Sequence, residues 1–292
     1  MTYSDARSGL SIVVPVYNEN GVAKDVLDKL ISALNSLEAP VELIVVDDGS
    51  TDGTSEILGS LSEQITLIRH DCNRGYGAAL KTGIRQANYS IIAITDLDGT
   101  YPHENFSKLL SGMQSSDMVV GSRTGSKVHI PLIRRPAKWL LNKLANYLTQ
   151  MEIPDLNSGF RAFRKEIVEK YIHILPNRFS FTTTISLVLI SEGYRIQYIP
   201  INYNKREGCS KVKPKDALGF LILIIRTITY FNPLRFFMPF SVVLFVLGIC
   251  RLSYDVFYLY NLTDSTILLF LFALQVSLIG IVADLIVKRN RR

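Results

Sequence analysis

Tryptophan and cysteine are both scarce, one and three residues respectively in a chain of 292. The cysteines, Cys72, Cys209 and Cys250, are widely spaced and odd in number. That argues against a disulfide framework and for a reducing compartment. No Cys/His spacing of the zinc type occurs, and no aromatic RNA-binding string, so nucleic acid is not an expected partner. The N-terminal stretch MTYSDARSGL lacks a basic segment followed by an apolar run. It does not read as a signal peptide, and the first domain is expected to stay in the cytoplasm. Internal repeats and low-complexity linkers are also missing.

What is present divides in two. Residues 1–215 have the make-up of a soluble α/β protein, whereas 216–288 are far more apolar. The formal net charge of +6 suits anionic lipid or a phosphorylated substrate. Two runs, 236–258 and 265–287, have the ~20 apolar residues that a bilayer crossing needs. Arg251 and Asp255 lie one helical turn apart and are expected to pair near the outer surface. The short connection 259–264 predicts a helical hairpin. The tail KRNRR is a positive-inside signal, which places both termini in the cytoplasm. The alternative is a pair of buried core helices. The predicted organisation is a globular domain over 1–213, a juxtamembrane amphipathic helix over 214–232 and two membrane helices with a basic tail over 233–292. Within 214–232 an in-plane helix competes with a third crossing. The segment 134–150 repeats leucine at helical spacing beside Arg134, Arg135, Lys138 and Lys143, as a membrane-surface helix or a plain amphipathic one would. The membrane helices can also pair between subunits, giving a homo-oligomer.

The first 120 residues alternate apolar strands, at 11–16, 41–46, 65–69, 91–95 and 118–120, with amphipathic stretches such as 22–37 and 78–87. This predicts an α/β fold with a mostly parallel, Rossmann-like sheet and helices on both faces. Ligands of such sheets lie beyond the carboxyl ends of the strands. There stand PVYNE (from Pro15), DDGSTDGT (from Asp47) and Asp96-Leu-Asp98. Asp96 and Asp98 alternate in an extended segment and can face one divalent cation, Mg2+ or Mn2+, bridging to a diphosphate. Asp47 and Asp48 have a second reading as turn and cap chemistry, with Thr51 or Asp52 at the N-cap.

The strings VVPVYNE, VVDDGSTDGT, NRGYGAALKTGI and DLD, in that order and spacing, resemble glycosyltransferase family 2 and its GT-A fold. The resemblance implies that Pro15, Tyr17 and Glu19 line a nucleotide-sugar pocket, with Asp47 or Asp48 reading the base. Gly75 and Gly77 would admit the nucleotide, and Asp96 and Asp98 would hold its diphosphate through a metal. VVGSR, DLNSGFRAF and YNKREGCSK resemble a narrower group, the polyprenyl-phosphate glycosyltransferases, dolichol-phosphate mannose synthases among them. By that likeness Arg123, Arg134 and Lys138 would receive the lipid phosphate, and Arg206 and Lys211 would close over the donor diphosphate. Ser158 would join Asp98 and these basic groups in the catalytic set. Three places depart from the pattern: Thr100 stands where Gln is common, Lys138 where Ser is, and the segment 181–184 has three threonines where relatives often carry acidic residues.

The implied activity is inverting transfer of a sugar, from GDP-mannose, UDP-glucose or a similar donor, to dolichyl or undecaprenyl phosphate at the cytoplasmic membrane face. A phosphate monoester is largely dianionic at neutral pH, since its second pKa is about 6, and needs no general base. It needs cations that bring it up to a second anion, the task for which a guanidinium is suited. The competing readings are a family 2 enzyme acting on a glycolipid or polysaccharide hydroxyl, and a non-catalytic nucleotide-sugar-binding anchor. Processive polysaccharide synthases usually show a Gln-x-x-Arg-Trp string, and the single tryptophan here, Trp139, is in another context.

Overall fold

The computed structural model describes residues 9–125, 143, 145–147, 149–178, 180–204, 222, 225, 229 and 232–290. Within them a seven-stranded sheet has the order β3-β2-β1-β4-β6-β5-β7. The strands are β1 (Leu10–Val16), β2 (Val41–Asp47), β3 (Thr66–Arg69), β4 (Ile91–Ile94), β5 (Met118–Ser122), β6 (Arg161–Arg164) and β7 (Ile196–Pro200). All pairings are parallel except those of β6, which runs antiparallel to both β4 and β5. The five expected strands are all present. β6 and β7 are additions that the apolar periodicity did not reveal.

Alternation sorts the core onto two faces, because successive side chains of a strand point opposite ways. Ile12, Val14 and Val16 pack with Leu27 and Leu30 of α1 (Ala23–Leu34) and with Phe106 and Leu109 of α4 (Phe106–Gly112). Val13, Ile44 and Val46 turn to the other face. They meet Leu80 and Ile84 of α3 (Tyr76–Gln86), Val168 of α5 (Lys165–Tyr171) and Ile185 of α6 (Phe181–Ser191). Helix α2 (Thr54–Ser60) follows β2. Pro15 is tolerated inside β1 because the pairing with β4 ends two residues earlier, at Val13.

The C-terminal region is a hairpin of α7 (Pro233–Tyr254) and α8 (Asp264–Asn290), the first continued by a π-turn at Asp255–Leu259. Both are long and apolar enough to cross a membrane. Burial excludes the core-helix alternative, since 11% and 17% of the two most apolar windows is buried. Large apolar side chains such as Val243, Phe245, Leu274 and Ile279 face outward along both helices, a surface that water would penalise heavily. Between the helices, Ser241 Oγ donates to the Ala273 carbonyl at 2.8 Å. At the far end the expected pair is found, with Arg251 Nε 3.4 Å from Asp255 Oδ1. Asp255 Oδ2 also accepts from Thr263 N at 2.8 Å, Thr263 Oγ1 at 2.6 Å and Thr266 Oγ1 at 2.7 Å. Residues 126–142, 205–221 and 291–292 lie outside the described set, and so do the predictions for Arg134, Lys138, Arg206 and Lys211. The same holds for nearly all of the 214–232 helix. Of the 134–150 segment, residues 143, 145–147 and 149 are helical. Ala145 is buried there against Ile153 and Leu187, and Gln150 Oε1 accepts from Arg235 Nη2 at 2.7 Å, tying this segment to the start of the hairpin.

Candidate active site

The strand order makes a crevice where the chain changes direction. β2 lies on one side of β1 and β4 on the other, so the loops after β1 and β4 diverge and leave room for a ligand. The loops after β1 and β2 are laced together. Asn18, in the left-handed region with φ 50°, receives Thr51 N on Oδ1 at 2.8 Å and donates its own N–H to Ser50 Oγ at 3.0 Å. Glu19 N donates to Thr54 Oγ1 at 2.9 Å, and Asn20 N to Asp52 Oδ2 at 3.2 Å. Two of the recognised strings therefore form one wall, on which Pro15, Tyr17 and Glu19 are partly exposed.

Asp47 and Asp48 are 1% and 2% exposed. Asp47 accepts from Ser50 N at 3.0 Å and from the Ser55 hydroxyl. Asp48 accepts from Arg74 N at 2.9 Å and Gly75 N at 2.8 Å and lies 2.7 Å from His70 Nδ1. The turn-and-brace chemistry is realised at both residues. The cap expectation shifts by a residue or two: Gly53 is the N-cap of α2, and Asp52 Oδ1 accepts from Thr54 N at 3.1 Å.

Gly75 and Gly77 are closely packed. A Cβ on Gly75 (φ 103°) would lie 2.5 Å from the Asn177 carbonyl oxygen, and one on Gly77 2.2 Å from that of Pro176. Backbone thus stands where a side chain at either position would go.

Asp96 and Asp98 stand at the end of β4 as expected. Asp96 is partly exposed and its Oδ1 accepts from the Tyr76 hydroxyl at 2.9 Å. Asp98 is 5% exposed, and its Oδ1 accepts from Thr100 N at 3.2 Å and Thr100 Oγ1 at 2.5 Å. Thr100, noted as a departure, thus orients the second aspartate. Burial, reinforced by Asp96, holds the Tyr76 hydroxyl far above the usual phenol range, so it stays a donor. These hard oxygen donors fit Mg2+ or Mn2+. Gly159 sustains the fit, since a Cβ there would come within 2.7 Å of Asp96 Oδ2. Among the described residues no third ligating side chain joins them, so diphosphate oxygens and water would complete the shell.

Arg123 follows β5 on the same rim. Its Nε and Nη2 donate to Asp155 Oδ2 and Oδ1 at 2.6 and 2.8 Å, and its guanidinium lies 5.2 Å from the centre of the Tyr203 ring. One edge of the fork is therefore taken by Asp155. Burial pulls the Arg123 pKa down, but Tyr101 and Asp155 outweigh it and keep the group charged. Ser158 is fully buried, and its hydroxyl donates to the Gly121 carbonyl at 2.6 Å, which braces the loop. The reading from residue pattern gave no role to Tyr76, Tyr101, Asp155 or Tyr203. Tyr76 stands inside NRGYGAALKTGI, Asp155 inside DLNSGFRAF and Tyr203 at the head of YNKREGCSK, whereas Tyr101 joins the site through tertiary contacts alone.

With this geometry in place, the likenesses to known proteins agree. The model of "Glycosyl transferase family 2" matches residues 11–172, more than half of the chain. That of the "GtrB C-terminal hairpin" matches residues 232–288, the two helices long and apolar enough to cross a membrane. The polyprenol monophosphomannose synthase of Mycolicibacterium smegmatis is 27% identical over 69% of this chain and 80% of its own length. The dolichol-phosphate mannosyltransferase of Pyrococcus furiosus is 28% identical over 80% of this chain and 68% of its own. Among solved structures, glucosyl-3-phosphoglycerate synthase of Mycobacterium tuberculosis, in complex with Mn2+, UDP-glucose and phosphoglyceric acid, superposes with a TM-score of 0.59 at 21% identity, covering 76% of this chain and 80% of that one. The shared architecture is the mixed-sheet, Rossmann-like GT-A fold, and the chain belongs to glycosyltransferase family 2.

Proposed function

We propose that this protein transfers a sugar from a nucleotide-sugar to a polyprenyl phosphate at the cytoplasmic face of a membrane. One observation carries the reading: a guanidinium, Arg123, shares a rim with the carboxylates Asp96 and Asp98. An acceptor that is already an anion requires a cation there, and no general base. The names of the relatives point the same way, as does the hairpin that leaves the domain beside Gln150. An open apolar surface lined by Tyr147, Leu234, Met238 and Val242 lies at that junction and suits a prenyl tail. The basic tail KRNRR supports a cytoplasmic C-terminus.

In this mechanism a lipid-phosphate oxygen attacks the anomeric carbon in line. The bond from that carbon to the donor diphosphate breaks, and the configuration inverts. Arg123 orients the attacking phosphate. Asp96 and Asp98 would hold Mg2+ or Mn2+, which when bound offsets the charge of the departing diphosphate. Tyr76 and Thr100 keep both carboxylates aimed.

The test uses the full chain in detergent with a short prenyl phosphate and a panel of GDP- and UDP-sugars, with and without a chelator. Transfer that stops on chelation supports the reading. No transfer from any donor, or transfer to a lipid hydroxyl instead, overturns it. Arg123→Ala should abolish transfer and leave nucleotide binding nearly intact.

A further inference from the structure

Arg161 is the largest fully buried side chain among the described residues. Burying a guanidinium is expensive unless its donors are matched. Its Nε and Nη2 donate to the Ser158 carbonyl at 2.9 and 2.5 Å. Nη1 donates to the Thr182 carbonyl at 2.9 Å and to Ser186 Oγ at 2.8 Å. It therefore clamps the 155–159 loop to α6 from inside the core. That loop runs between two halves of the site. At one end Asp155 grips Arg123 through its side chain and, at 3.0 Å, its backbone N–H. At the other, Gly159 lies against Asp96 and donates its N–H to the Tyr101 hydroxyl at 2.7 Å. The antiparallel run of β6 brings the loop to this rim, because its amino end meets the carboxyl ends of β4 and β5.

We propose that Arg161 is a positioning residue that touches no substrate: by fixing the 155–159 loop it sets the metal-binding Asp96 and the acceptor-side Arg123 in one register. The inference rests on the reading of Arg123 as the phosphate-orienting group. It predicts that loosening the clamp disturbs both sites together, whereas damage at either end of the loop disturbs one.

The experiment measures two quantities on the full chain: Mn2+ affinity, by electron paramagnetic resonance, and the KM for a short prenyl phosphate. Arg161→Lys keeps the charge but reaches fewer carbonyls, and should weaken Mn2+ binding and raise the prenyl-phosphate KM, each by about tenfold. Asp155→Asn should raise the KM and leave Mn2+ affinity alone, while Gly159→Ala should do the reverse. Val168→Ala, a core truncation away from the loop, serves as the control and should lower thermal stability without moving either quantity. Should Arg161→Lys not fold, Ser186→Ala removes one clamp bond and should shift both quantities by about threefold. The proposal is overturned if the clamp variants move one quantity alone or neither, or if Val168→Ala moves both equally. If the wild type transfers nothing to prenyl phosphate, the acceptor reading has failed instead, and a Mn2+ response to Arg161→Lys that Val168→Ala lacks still reports the clamp.

Discussion

The catalytic domain and the hairpin obey one physical rule in opposite senses. In the domain, Ile12, Val14, Ile44 and Val46 are fully buried. In the hairpin, Val243, Phe245, Leu274 and Ile279 face outward and a carboxylate, Asp255, is fully buried. The surrounding medium sets the direction. Apolar surface avoids water in the domain and has no reason to avoid hydrocarbon in the hairpin. Polar groups behave alike in both. Asp48 and Asp255 are each enclosed, and each accepts hydrogen bonds from the backbone of a loop that it holds in place. Asp48 and Asp255 hold loops in either medium, while at the site Asp98 is buried as well and Asp96 is partly open.

Four measurements sharpen or break this comparison. The largest effect is expected from Asp98→Ala, which should lower transfer by about 10³-fold and weaken Mn2+ binding while the hairpin stays folded. Full activity in that variant would turn the site into a binding anchor. Next comes Gly77→Ala. A Cβ there meets the Pro176 carbonyl at 2.2 Å, and the overpacking should cost about 2 kcal/mol in denaturant unfolding of the domain. Little change would show that the backbone there gives way. Asp255→Leu should lower the thermal unfolding temperature in detergent and leave Mn2+ affinity untouched; a loss of metal binding would show that the two regions are coupled.

The smallest effect concerns pH. Burial holds the His103 imidazole below its ordinary value of 6.5, against the smaller upward pull of Glu104 and Asp98. The unfolded chain then binds a proton that the folded chain does not, so this contribution to stability is full above pH 6.5 and declines as the pH falls below it. His103→Phe keeps the stacking on Phe106 and should remove this part of the stability lost between pH 7 and pH 5. An unchanged pH–stability profile would assign the acid sensitivity to other groups.

Long apolar runs and ordered strings made the family, five strands and the hairpin legible. So was the Arg251–Asp255 pair, because i,i+4 spacing on a helix is a local relation. β6 was hidden, since RAFR carries an arginine at each end and four residues hold too little pattern to set a period. β7 was hidden by its length and its terminal Pro200. The glycine pair and the aspartate pair stand out in the strings, and only the fold shows which protein groups pack on them: Pro176 and Asn177 for the glycines, the 70–75 loop for Asp48.

By itself the sequence determined what depends on composition and short-range order: the α/β alternation, the membrane hairpin, the family and the paired aspartates at the end of β4. The tertiary structure decided what depends on residues distant along the chain. It placed Asp155 against Arg123, Tyr76 against Asp96 and Arg161 inside the core. Hydrogen bonds and burial are relations between groups in space, and a one-dimensional pattern does not record which distant donor will meet which acceptor.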